Sequence, residues 1–263
     1  MQKDDRVAAE SSSIDALGQF QLHTALGPFG RSVNFTQSNL MMVVAGAIIL
    51  ATLYYGVRQK ALVPGRMQAL AETAYDGIMS MCVESIGPEG RRFFPFVFSL
   101  FAFVLVGNML GVFPLFFTYT SHIAVTLALS LFVFVVVTIV ALRLHGLHFF
   151  SYFVPKGVPW WLIPVLVPIE VLSYLSRIIS LSVRLFANMM AGHVMLEVFG
   201  AFVVMLGTAG LLGGIHSLSF LPAILAFAVN TALIGFEVLV AALQAYVFAV
   251  LTCIYLHDAV HLH

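Results

Sequence analysis

The sequence predicts an all-α integral membrane protein. It has about five membrane-embedded helices plus an interfacial amphipathic helix, and the last two spans form a long, strongly tilted antiparallel hairpin. Three observations lead there. Of 263 residues, 61% are hydrophobic and 9% charged, whereas a soluble domain carries about 25% charged residues. The mean hydropathy is +1.02. The apolar residues gather into stretches long enough to cross hydrocarbon, and the last two stretches are far longer than one crossing needs.

The whole chain reads as one membrane domain. Residues 1–39 form a polar tail with no apolar region directly behind a basic start, so no cleavable signal is expected. Residues 40–57 are the first span. Residues 66–86, "RMQALAETAYDGIMSMCVESI", place Met67, Leu70, Ala71, Ala74, Ile78, Met81 and Cys82 at helical spacing, with Glu72, Asp76 and Glu84 elsewhere around the wheel. That pattern predicts an amphipathic helix lying at the interface or packed on another subunit. Residues 93–117 and 122–142 are the next two spans. A short apolar piece, 160–167, is bounded and cut by Pro159, Pro164 and Pro168.

Residues 168–206 and 221–257 are the last two spans. At about 1.5 Å per residue they measure roughly 55–58 Å each, against a hydrocarbon layer of about 30 Å. Only "GTAGLLGG" and a few residues after it separate them, so they pair as an antiparallel hairpin that leans well beyond the usual tilt.

Basic residues set the orientation. Arg58, Lys60, Arg66, Arg91 and Arg92 lie between the first two spans, and Arg143 and Lys156 follow the third. The connections at 118–121 and 207–220 have neither Lys nor Arg. The positive-inside rule puts 58–92, 143–160 and the C-terminus inside and the N-terminal tail outside, where Lys3, Arg6 and Arg31 are accompanied by Asp4, Asp5, Glu10 and Asp15. Net charge is zero, so no nucleic-acid partner is indicated. Cys82 and Cys253 sit in separate segments without ligand or redox spacing and read as two reduced structural thiols.

Ionisable groups inside a membrane are functional by default. Glu170, Ser173, Arg177, Ser180, Arg184, Asn188 and Ala191 fall on one side of the first long helix, a polar face of mostly small residues. His193 and Glu197 point nearly the opposite way. On the second long helix Asn230, Glu237 and Gln244 recur every seven residues and share a face. An antiparallel register that levels His193 with Glu237 also levels Arg184 with Gln244. Arg184 and His193 point apart, so the contact to expect is His193–Glu237. The layout suggests two aqueous pockets at different depths, with a permanent cation between them. His and Glu exchange protons near neutral pH, and Arg does not.

The segment "SLSVRLFANMMAGH" (residues 180–193) resembles the signature of subunit a of F-type ATP synthases. "GNMLGVFP" (107–114) and the last two helices are similar to that family as well, and the resemblance covers most of the chain. It implies the proton-translocating stator subunit of a rotary enzyme, facing a ring of c subunits. Peripheral-stalk subunits of b type and the other ATP synthase subunits would be its partners, and the lipid bilayer its surroundings. It implies that Arg184 faces the ring carboxylate. Asn188 and Gln244 would line that interface, along with Ser173, Arg177, Ser180, Ala187 and Ala191. His193 and Glu237 would form the outer half-channel, with Glu197 and Asn230 nearby, in the alphaproteobacterial and mitochondrial arrangement. Glu170 would serve the inner half-channel. No metal and no cofactor are implied. The membrane would be an energy-coupling one, a bacterial plasma membrane before a mitochondrial inner membrane.

Plainer readings stand beside these. Glu170 follows Pro168, where an acid complements the helix dipole. Asn108, between Gly107 and Gly111, reads as packing through a small-xxx-small motif. The histidines His257, His261, His263, His145 and His148 read as loop and tail residues. A haem carrier would need histidines paired deep between facing helices, and only His193 is deep. A secondary transporter would need repeats and broken helices, and neither is visible. There is no G-x-x-x-x-G-K-[ST] loop, so ATP chemistry would belong to partners.

Overall fold

The structure, a computed structural model, describes residues 36–58, 65–113, 118–146, 149, 159–211 and 220–261. The tail charges Lys3, Arg6 and Arg31, the loop Lys156 and the middle of the last connection lie outside the described residues. Within them the chain forms six α-helices: α1 (Gln37–Arg58), α2 (Arg66–Ile86), α3 (Gly90–Val112), α4 (Ile123–His145), α5 (Ile163–Leu211) and α6 (Phe220–Val260), with a 3-10 turn at Tyr119–Ser121 before α4. All but α2 are long and apolar enough to cross a membrane.

The outward face of α4 shows what surrounds the chain. Thr126, Ser130, Val133, Val137 and Ala141 are buried at helical spacing. The opposite side exposes Leu127, Leu131, Phe132, Val135 and Ile139. A helix facing water would carry polar groups there. The small and hydroxylated residues are inside and the bulky apolar ones outside, as in a helix that meets lipid. The buried hydroxyls are satisfied locally or across helices: Ser130 Oγ donates to Thr126 O at 2.8 Å, and Thr126 Oγ1 lies 3.2 Å from Ser182 Oγ on α5.

The core centres on the C-terminal half of α6. Ala241, Ala245, Ala249 and Cys253 recur every fourth residue and are fully buried. This ridge of small side chains lets neighbouring helices approach closely. Leu181, Leu185 and Met189 of α5, Val133, Val137 and Ala141 of α4, Val97, Leu100 and Val104 of α3, and Ile78, Met81, Cys82 and Ile86 of α2 join it in the core. The N-terminal half of α6 is different. Leu221, Ile224, Leu225, Phe227, Phe236 and Leu239 are all exposed.

Helix α2 follows its amphipathic pattern in its second half, with Glu72, Asp76 and Glu84 exposed. Its first turn departs from it. Met67 and Leu70, on the expected apolar side, are 49% and 58% exposed, because α2 reaches the core only from Ile78 onward.

The long hairpin is longer than its apolar pattern indicated. Helix α5 has 49 residues and α6 has 41, about 74 Å and 62 Å of helix. Helix α5 starts at Ile163 rather than at the proline, and Pro168 lies inside it. Pro164, in the first turn, costs nothing, because those backbone N–H groups have no partner within the helix. Only Pro168 removes a bond. At the other end the helix runs through Gly207 and Gly210 to Leu211, since a glycine costs only about 1 kcal/mol in a helix interior.

The two cysteines, distant in sequence, meet in the core. Cys82 Sγ on α2 lies 3.8 Å from Cys253 Sγ on α6, and both thiols are free and buried. A membrane-permeant oxidant should therefore join them in native membranes. Fragments cleaved between the two positions should then stay linked until reduced. Fragments that part without reductant would show that α2 does not pack on α6.

Candidate functional site

The faces of α5 sort its polar residues. Ser173, Ser180, Arg184, Ala187 and Ala191 are exposed, and Leu181, Leu185 and Met189 are buried against the core. Glu170 and Asn188 are half-buried at the margin between the two. Arg184 has neither an ion pair nor a side-chain hydrogen bond among the described residues. It stands roughly in the middle of a 49-residue apolar helix.

Arg177 corrects the single polar face drawn from the helical wheel. Its side chain is only 23% exposed, and Nη1 lies 3.0 Å from Oδ2 of Asp258 in the last turn of α6. The guanidinium also sits over the rings of Tyr255, at 5.1 Å, and Tyr174, at 5.6 Å. Arg177 stands at the buried margin of the stripe, so a carboxylate on α6 and two aromatic faces take it inward. It does not belong to the exposed surface that carries Arg184. Its partner Asp258 lies one residue past the expected end of the last span, where polar residues read as tail.

On the other side of α5, His193 Nε2 lies 3.9 Å from Glu237 Oε1, and Glu237 is 6% exposed. Helix α5 has a glycine opposite this carboxylate. A Cβ on Gly192 would come within 2.9 Å of Glu237 Oε1. Further along, Asn230 Nδ2 lies 3.9 Å from the Cβ position of Gly200. The contacts 177–258, 192–237 and 200–230 run in opposite directions along the two helices and make the hairpin antiparallel. No hydrogen bond joins Arg184 to Gln244 among the described residues, although Gln244 is buried on the same helix as Glu237. Glu197, one turn beyond His193, is half-buried.

Several buried polar atoms find no hydrogen-bond partner among the described residues: both oxygens of Glu237, Gln244 Nε2, Asn230 Oδ1, Asn108 Oδ1 and Thr120 Oγ1. Each unmatched group of this kind costs about 1–3 kcal/mol. Asn108 spends its amide on α6, with Nδ2 donating to Ala241 O at 3.2 Å.

The turn before α4 supplies what the sequence reading missed. Thr118, Tyr119, Thr120 and Ser121, read there as an outer connection, are all buried. Gly107 and Gly111 make a notch on α3 that receives this turn, while Asn108 between them packs on α6. A Cβ at Gly107 would strike the Tyr119 hydroxyl, and one at Gly111 would strike Thr118 Oγ1. Seated there, Tyr119 OH donates to Phe103 O at 2.7 Å, and Thr118 Oγ1 lies 2.9 Å from His193 Nε2. The one available signal was the run of hydroxyl residues 118–121 following Gly-x-x-x-Gly.

Comparison with known proteins gives one answer throughout. The sequence profile described as ATP synthase A chain matches residues 39–257. Proteins named ATP synthase subunit a align along nearly their whole length. The one from Granulibacter bethesdensis is 60% identical over 97% of this chain and all of its own. That from Acidiphilium cryptum is 56% identical over 97% and 100%, and that from Gluconacetobacter diazotrophicus is 58% identical over 96% and 99%.

Proposed function

The chain belongs to the ATP synthase A chain family, and from that premise we propose how it carries protons. Membership makes it a multi-pass, proton-translocating Fo subunit that works within an ATP synthase. In our reading the exposed face of α5 meets a ring of c subunits. Ser173, Ser180, Ala187 and Ala191 let a partner helix come close, and Arg184 meets the ring carboxylate. Asn188 and Gln244 flank that contact. Arg177, matched by Asp258, takes no part in it.

Protons reach the ring through an outer half-channel built around His193, Glu237, Asn230 and Glu197, and leave past Glu170. The unmatched oxygens of Glu237 support a wet pocket there. His193 and Glu237 are both side chains that can take up and release a proton, and one passes it to the other. Arg184 cannot give up its proton, so it closes the direct route between the two pockets. Its pull on a carboxylate about 4 Å away, at an effective dielectric near 20, is about 4 kcal/mol. That suffices to draw a proton off the acid and is too little to hold the anion permanently. Stalk subunits of b type are the further partners in this reading. The bacterial relatives favour a plasma membrane.

One observation carries the reading: a permanent cation lies in mid-helix, exposed, with no ion-pair partner among the described residues. Its test is proximity. In the assembled synthase, Ala187→Cys or Ala191→Cys should crosslink to a cysteine placed beside the ring carboxylate, and Met189→Cys should not. If the buried position crosslinks and the exposed ones stay silent, the face assignment is wrong.

A further inference from the structure

We propose that Thr118 is a positioning residue for His193, holding the imidazole off Glu237 so that a proton passes between them without being trapped. The inference rests on the reading of His193 and Glu237 as one proton path and adds a third member to it.

One nitrogen of His193 faces two groups. Nε2 is 2.9 Å from Thr118 Oγ1 and 3.9 Å from Glu237 Oε1. The first is a hydrogen bond and the second is beyond hydrogen-bond range. An imidazolium free to move would close on the carboxylate to about 2.7–2.9 Å, the distance of a charge-assisted bond. In a buried place, that closed pair would keep the proton. Thr118 offers Nε2 another partner, and a hydroxyl can play both parts. It donates to Nε2 when that nitrogen is bare and accepts when Nε2 bears the proton. The ring therefore keeps its place through both protonation states.

The turn is built to hold that hydroxyl still. Thr118 is 4% exposed. Its side chain fills the space that the missing Cβ of Gly111 leaves on α3. Ser121 Oγ donates to Thr118 O at 2.6 Å, and the Tyr119 hydroxyl anchors the next residue to Phe103 O. On α5, Gly192 leaves room for the Glu237 carboxylate. Two glycine gaps on different helices thus set the hydroxyl and the carboxylate near one imidazole nitrogen.

The experiment is ATP-driven acidification of membrane vesicles carrying the whole synthase, scaled to the amount of assembled chain. Thr118→Val, nearly the same shape without the hydroxyl, should cut pumping by about tenfold, the loss expected for one hydrogen bond. Thr118→Ser should restore it. In a His193→Ala background, Thr118→Val should have no further effect on the residual rate, because the imidazole it positions is gone. If the valine chain does not assemble, Thr118→Ala removes the same bond. Normal pumping by Thr118→Val beside slow pumping by His193→Ala overturns the inference. So do equal losses in valine and serine chains, or an undiminished valine effect without His193. Normal pumping by His193→Ala overturns the shared proton path as well.

Discussion

Arg184→Ala should abolish ATP-driven proton pumping and leave the subunit in its complex. The side chain is exposed and forms no ion pair or hydrogen bond among the described residues, so its loss should change folding stability by no more than about 0.5 kcal/mol. Its function, on the proposed mechanism, is electrostatic and has no substitute nearby. The neighbouring cation, Arg177, is committed to Asp258. Arg184→Lys should do better than alanine and still fall short of the native residue, because an ammonium keeps the charge but loses the planar fork that meets a carboxylate side-on. The measurement pairs vesicle acidification with the quantity of subunit recovered in the purified synthase. Coupled pumping by an assembled alanine variant would remove Arg184 from the mechanism.

His193→Ala and Glu237→Gln should each slow proton entry by on the order of a hundredfold, the usual scale for losing one positioned acid–base group. The glutamine is chosen because it keeps the shape that fits opposite Gly192. The double variant should be no slower than the worse single one, since both residues serve one path. The comparison is made on ATP synthesis driven by an imposed proton gradient. Losses that multiply in full would mean two independent routes, and the shared pocket would have to be abandoned.

Helix periodicity and charge placement carried much of this structure in advance, and the reasons can be read from individual residues. His193 and Glu237 could be paired from numbering alone, because two long antiparallel helices with a short link leave little choice of register. The small exposed face around Arg184 could be found because intramembrane charge is rare and the wheel puts serines and alanines beside it. The misses lie where a residue's fate depends on a partner far along the chain. Nothing near Arg177 announces Asp258 or Tyr255. Nothing near Cys82 announces Cys253. Residues 118–121 looked like a solvent loop, because turns are normally on the surface. The two glycines that admit this turn into the core lie 7 to 14 residues earlier, and their spacing fitted helix packing equally well. The start of α5 was placed late because Pro168 was read as a boundary, whereas the helix runs through it despite the lost bond and the crowding of the carbonyl four residues earlier.

The alanine ridge of α6 has a mechanical consequence. On the proposed mechanism a rotor turning past Arg184 would exert a sideways thrust on α5, and an isolated helix would bow under such a load. Behind that surface Leu181, Leu185 and Met189 belong to the same buried core as Phe248, Ala245 and Ala249, with almost no accessible area. Interiors packed that tightly compress little, so the thrust passes through the helix into a stiff backing. On that mechanism, torque delivered at the guanidinium would be resisted by the packed helices behind it and not dissipated in bending α5.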